Sequence, residues 1–149
     1  MKHRDNIKMA ISAPSFLNEP IEYGKSFSRG IRVNFDNYCI LFISGTASVN
    51  HKGQTCHIGD FSAQAKRTFA NITGLLKSEG ASWNNVVKTR CYLKDMSNYK
   101  KFNICRNQFY KRMKLNPFPA SVCVQVTLCR PELLVEIEAV AIVKFDKKK

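Results

Sequence analysis

The segment "FPASVCVQV", residues 118–126, says more about the fold than any other stretch of the chain. Val122, Val124 and Val126 alternate with Ser121, Cys123 and Gln125, which is the period of a strand with one apolar and one polar face. Leu128 and Thr127 extend the two rows. The valine row is expected to pack under helices, turning Ser121, Cys123, Gln125 and Thr127 to the opposite side of the sheet. Downstream, "LLVEIEAVAIVKF" (133–145) alternates in the same way, with Glu136 and Glu138 on one face and Val135, Ile137, Ala139 and Ala141 on the other. "CRPE" supplies the turn between the two strands.

Upstream, "NPFP" (116–119) must end a helix, because proline cannot continue one. That helix carries its apolar stripe on Tyr99, Phe102, Cys105, Phe109 and Met113, with Asp95 or Ser97 as cap. Before it, "NVVKTRCYLKD" (85–95) is a strand with Val87, Thr89, Cys91 and Leu93 on one face. An earlier helix begins at the N-cap Asp60, repeats apolar residues at Phe61, Ala65, Phe69, Ile72 and Leu76, and ends at Gly80. "SFSRGIRVNF" and "YCILFISGTASV" are two strands joined around "DNY", and "HKGQ" makes a further turn. The order is ββ(β)αβαββ, an α+β architecture in which two helices pack on one face of a mixed β-sheet. No third helix is left to cover the other face, so that face is expected to be a subunit interface.

With 149 residues, 44% of them hydrophobic, the chain suffices for one domain, expected at residues 21–145. Residues 1–20 are then an N-terminal extension and residues 146–149 a basic tail. No apolar run approaches the ~18 residues of a membrane span. The start has no apolar stretch of signal-peptide length, so a cytoplasmic protein with no membrane contact is expected. The six cysteines form no CxxC pair and read as structural thiols. His51, Cys56 and His57 lack a fourth ligand, and neither metal nor cofactor is expected.

The net charge of +13 is partly terminal, at Lys2, Arg4, Lys8 and the tail. Six further basic residues lie within 100–114, and no acid occurs between Asp95 and Glu132. Such a surface is either a solvated, solubilising face or a weak RNA contact, with Tyr99, Tyr110 and Phe118 available for stacking. No histidine pair suited to acid-base cleavage of RNA is evident.

"ISGTASV", "VVKTRCYLKD", "FPASVCVQV" and "VEIEAVA" resemble the blocks of the YjgF/Rid family, the reactive-intermediate deaminases also called endoribonuclease L-PSP. The resemblance runs from about Tyr23 to Val143, and its most specific part is "FPA…C-V" followed by "EIEA". It implies a chorismate-mutase-like fold assembled as a homotrimer, with small-molecule clefts between subunits. It also implies that Gly45 offers a backbone amide to the ligand, that Asn103 and Cys123 line the cleft, and that Glu136 is the catalytic residue orienting water. For Cys123 a nucleophilic role is the alternative, though no histidine lies near it in sequence. For Glu136 the alternative is a structural place in the interface.

Two positions depart from the family pattern. Phe27 stands where the family has a cleft tyrosine, and Ser121 stands where it has the arginine of "PAR". In the family that arginine forks onto the substrate carboxylate while the glutamate handles water. Losing such a contact costs about 2 to 5 kcal/mol, on the order of 10²-fold or more in binding. The usual 2-iminoacid deaminase activity is therefore not expected unchanged. Arg29, two residues from Phe27 and on the same strand face, is the expected substitute, ahead of Arg90 and Arg130. Its alternative is an ion pair.

The leading expectation is a homotrimer that binds a small carboxylate or carbonyl metabolite, with hydrolase or deaminase activity on an altered substrate. An RNA-binding or endoribonuclease protein, a chorismatase-like enzyme and an inactive scaffold are the alternatives. "FSRG" and "CRPELLVEIEA" resemble Rid-related branches without the arginine, the chorismatase-like proteins among them.

Overall fold

The computed structural model, which describes residues 7–145, has strands β1 (Lys8–Ile11), β2 (Gly30–Asn34), β3 (Tyr38–Ala47), β4 (Val86–Leu93), β5 (Ala120–Gln125) and β6 (Val135–Lys144), all but β1 expected from the sequence periodicities. Two α-helices, α1 (Phe61–Ser78) and α2 (Tyr99–Arg112), complete the set. The strands form one sheet in the order β1-β2-β3-β6-β4-β5, parallel between β4 and β5 and antiparallel elsewhere. Both helices lie on one face. None is long and apolar enough to cross a membrane among the described residues.

Helix α1 starts where its cap predicts, since the Asp60 side chain accepts from the Ala63 amide at 2.9 Å. Its inner stripe meets α2 in an aromatic cluster. Phe69 is 1% exposed, stacks on Phe109 at 4.6 Å between ring centroids and receives Trp83 edge-on at 5.6 Å. Trp83 buries its indole N–H by donating to Thr73 Oγ1 at 2.8 Å. Beneath, Leu41, Cys91, Leu93, Val135, Ile137, Ala139 and Ala141 close the core from the sheet side. The expected faces of β6 are thereby found, as are Thr89, Cys91 and Leu93 of β4. Val87, placed with them by alternation, is 44% exposed because β4 shifts register between Val86 and Lys88, and Val86 turns inward in its stead.

The described residues before position 21 pack with the sheet. β1 pairs with β2, and Ile11, Ala13 and Leu17 are buried in the core, so the expected extension contributes an edge strand and apolar anchors. Lys2, Arg4 and the basic tail lie outside the described residues.

β5 reverses the expected sidedness. It pairs in register with β4 through Thr89 with Ser121, Cys91 with Cys123 and Leu93 with Gln125, and paired residues share a face. Ser121, Cys123 and Gln125 therefore lie on the helix side, while Val122 and Val124 stand on the open face, 46% and 38% exposed. At this margin of the sheet the helix-side row meets polar groups of α2 and its approach: the Met96 amide donates to Gln125 Oε1 at 2.7 Å. A polar row fits there, and the valines take the other side.

Truncating the centre of the aromatic cluster is the sharpest test of this packing. Phe69→Ala is expected to cost about 3 to 5 kcal/mol, read as a lower urea midpoint with an unchanged slope in equilibrium denaturation.

Candidate functional site

Strand β6 presents Glu136 and Glu138 on the open face, two residues and therefore roughly 7 Å apart. Their surroundings differ sharply. Glu138 accepts from the Tyr92 hydroxyl at 2.8 Å and pairs with Arg90 at 3.5 Å. Glu136 meets neither cation nor hydrogen-bond donor among the described residues. Burial first, and the neighbouring Glu138 second, raise its carboxyl above the ordinary value of 4.5.

The strand beside Glu136 makes room for it. β3 and β6 shift register between Ile43 and Thr46, and Gly45 sits in that bulge. A Cβ on Gly45 would lie 2.1 Å from Glu136 Oε1, so any side chain here would push the Glu136 carboxylate aside; the glycine serves its placement, not a left-handed backbone. The backbone around it is pinned by the Ser44 amide, which donates to Arg29 O at 3.1 Å, and by Ser44 Oγ, which donates to Ser28 O at 2.7 Å. The resulting cavity, about 310 Å³, is bounded by Gly45, Tyr92, Glu136, Glu138 and residues 126–129. Buried Gln64 fixes the chain leading into β6: its amide donates to Glu132 O at 2.9 Å and its Oε1 accepts from the Leu134 amide at 2.9 Å. A larger hollow of about 900 Å³ lies at the far end of the sheet, against Ile7, Phe35, Tyr38 and Phe145, and offers Asp36 alone among carboxylates.

A second polar cluster occupies the helix side of β5. Ser121 Oγ accepts from Thr89 Oγ1 at 3.1 Å and from Arg106 Nη1 at 3.4 Å. Arg106 Nη2 donates to Asn103 Oδ1 at 2.5 Å, and the guanidinium lies 5.2 Å from the centre of the Phe102 ring. Cys123 lies beside this group. Burial, then the nearby Cys91, push its thiol up despite the opposing pull of Arg106, so it is a thiol at neutral pH. That favours a lining role over a nucleophilic one.

The expected site residues thus fall into two sets. Glu136 and Gly45 meet on the open face, with Phe27 near the same end of the sheet, 46% exposed. Ser121, Cys123 and Asn103 meet on the helix side. Arg29 joins neither. It is 6% exposed, donates through Nε and Nη2 to Asn18 O and Oδ1 at 2.8 and 3.0 Å, and lies 5.8 Å from the rings of both Tyr23 and Phe27. A guanidinium so engaged holds the segment before β2 in place and is not a free cleft cation. Arg130 is likewise spent, donating to Gly53 O and Thr55 Oγ1, and Arg90 belongs to Glu138. Tyr110, expected to be available for stacking on RNA, is buried at 6% exposure, with its hydroxyl pushed up to about 12, chiefly by desolvation. No group of three or more His, Cys, Asp or Glu side chains fit for a metal occurs among the described residues.

Sequence reading missed Arg106 and Tyr92. Arg106 follows Phe102 by four residues and Asn103 by three, the helical spacing that brings side chains together, but it sits in a run of cations that reads as a solvated face.

A family model described as endoribonuclease L-PSP matches residues 19–143. The chain belongs to this family, the YjgF/Rid proteins. A RutC family protein of Pyrococcus abyssi is 34% identical over 116 residues, covering 77% of this chain and 84% of the relative. A 3-aminoacrylate deaminase RutC of Acinetobacter baylyi is 30% identical over 102 residues, 68% of this chain and 78% of the relative. Two solved structures, the YjgF gene product of E. coli and E. coli TdcF with bound serine, superpose with TM-scores of 0.75 at 24% and 21% identity. Each covers 90% of this chain and 98% of its own. The architecture is accordingly the chorismate-mutase-like α+β fold of YjgF/Rid proteins.

Two measurements check the Glu136 environment. Gly45→Ala should cost about 1 to 3 kcal/mol by overpacking and much less in a Glu136→Ala background, a coupling that a double-mutant cycle in urea reads directly. Stability should also depend on pH through Glu136. Its folded-state value lies above the unfolded one, so the unfolded chain ionises first and stability falls as pH rises from 4.5 through the raised value. Glu136→Gln removes that loss. Its melting temperature should match the parent below the window and exceed it above.

Proposed function

We propose that the chain is a hydrolytic deaminase of small enamine or imine carboxylates, working as a homotrimer with its clefts between subunits. The observation that carries this reading is the unequal carboxylate pair. Two glutamates share a cavity wall, one partnered by Tyr92 and Arg90, the other desolvated, unpartnered and raised towards neutral pH, a division suited to moving a proton.

The chemistry asks for a group that carries protons back and forth. An enamine first tautomerises to its imine, carbon gaining a proton as nitrogen gives one up. Water then adds to the imine carbon, Glu136 taking one water proton and returning it to nitrogen to give a carbinolamine. Glu136 next takes the hydroxyl proton and passes it to nitrogen as the C–N bond breaks, so that ammonia leaves and a carbonyl remains. The similarity to a 3-aminoacrylate deaminase, named for an enamine carboxylate, supports this substrate class.

The trimer is supported by where the residues stand. Glu136 and Gly45 are on one face of the sheet and Ser121, Cys123 and Asn103 on the other, so a single subunit does not gather them into one cleft. The open face also carries Phe42, Val122, Val124 and Ile142, each more than a third exposed. Such a face gains by being covered.

Sedimentation equilibrium should give the mass of three chains. Ammonia release from 3-aminoacrylate and from the imine of leucine should fall about 10²-fold or more in Glu136→Gln. In the parent, kcat/KM should decline on the acid side, with an inflection above the ordinary carboxylate range. A monomer, or release indifferent to Glu136→Gln, refutes the reading.

A further inference from the structure

Among the described residues, the ion pairs are Arg32 with Glu79 and Arg90 with Glu138. Arg29 and Arg130 are occupied by backbone and side-chain oxygens. Arg106 differs from all of these. It is half-buried, stacks on Phe102, has no acidic partner, and is aimed by Asn103 at the hydroxyl of Ser121.

Each neighbour leaves donors to spare. Two of the five guanidinium N–H groups are used, by Asn103 and Ser121. Ser121 Oγ accepts from both Thr89 and Arg106, and its own proton faces only the weakly accepting Cys91 Sγ at 3.9 Å, a contact that a carboxylate would displace. Ser121 is exposed at the sheet edge, so the group is open to solvent. Lys100, Lys101, Lys111 and Arg112 lie on the same helix, and no carboxylate competes within it.

We propose that Arg106, carried by α2 and oriented by Asn103 and Phe102, binds the substrate carboxylate together with the Ser121 hydroxyl. The guanidinium absent from position 121 is thus supplied from the facing helix. This inference rests on the proposed carboxylate substrate, and it assigns specificity to a residue of α2 stacked on Phe102. Asn103 is a positioning residue on this assignment, acting through Arg106.

The test uses the full chain and two probes, 2-oxobutyrate and its uncharged amide, in calorimetric titrations. Arg106→Gln keeps a polar side chain and removes the charge. It should weaken 2-oxobutyrate binding by at least about 30-fold, and leave the already weak binding of the amide unchanged. Arg106→Lys should restore part of the affinity. In the double variant Arg106→Gln/Ser121→Arg the charge returns on the strand, and 2-oxobutyrate binding should recover. Melting temperature and mass should match the parent throughout. Unchanged 2-oxobutyrate affinity in Arg106→Gln overturns the assignment, whether or not Glu136→Gln still abolishes ammonia release. Conversely, Arg106-dependent binding in a protein that releases no ammonia retains the assignment and removes the hydrolysis. If the parent does not prefer 2-oxobutyrate over its amide, the inference and the carboxylate reading both fall.

Discussion

Strand β6 is paired on both sides, to β3 and to β4, and the period of a strand leaves it no freedom in what it shows. Burying Val135, Ile137, Ala139 and Ala141 against the helices forces Glu136 and Glu138 onto the other face. A register slip by one residue would put two carboxylates into the core and four apolar side chains outside. The large penalty for that exchange fixes the position of the candidate site as firmly as it fixes the sheet. Everything around Glu136 is an accommodation to this constraint, including the bulge in β3 and the missing Cβ at Gly45.

The two glutamates then diverge because their neighbours differ, although their positions on the strand are equivalent. β4 delivers Tyr92 and Arg90 to Glu138. β3 sets Ala47 opposite Glu136 and Gly45 beside its carboxylate, neither with a side-chain donor. A half-buried carboxyl with no donor costs stability, and natural proteins tend to avoid the arrangement. That cost is what makes the position informative: folding alone would favour glutamine or a hydrophobic residue there. On the proposed reaction the cost is returned as a base poised closer to neutral pH than an ordinary carboxylate.

Much of this was legible in the sequence, and the parts that were not share a physical cause. Helices α1 and α2 and the faces of β6 follow from periodicities that burial enforces strongly. β5 misled because alternation reports two faces without saying which is inside. On a central strand the apolar row is the buried one, whereas on this edge strand the parallel register to β4 decides, and register is invisible in one sequence. Arg29 and Arg106 show the same limit for charges. Both are arginines near apolar residues, and only three-dimensional placement reveals that Asn18 consumes the first while Asn103 merely aims the second. Strand β1 escaped because four residues, three of them exposed, carry too little pattern to be read.

Moving a guanidinium from strand to helix is not a neutral exchange on the proposed assignment. An arginine on an edge strand has long rotamer freedom to lose when it grips a carboxylate. Arg106 has lost part of that freedom already, held between the Phe102 ring and the Asn103 amide. It also approaches from the α2 side, so the distance between the bound carboxylate and the carbon that water attacks is set by the seating of the helix. On this assignment, moving the carboxylate one bond nearer to or farther from the reacting carbon would change how well the ligand is held for attack. The serine at position 121 follows from the same geometry. A larger side chain there would occupy the space the guanidinium enters, and a smaller one would remove the hydroxyl that it meets.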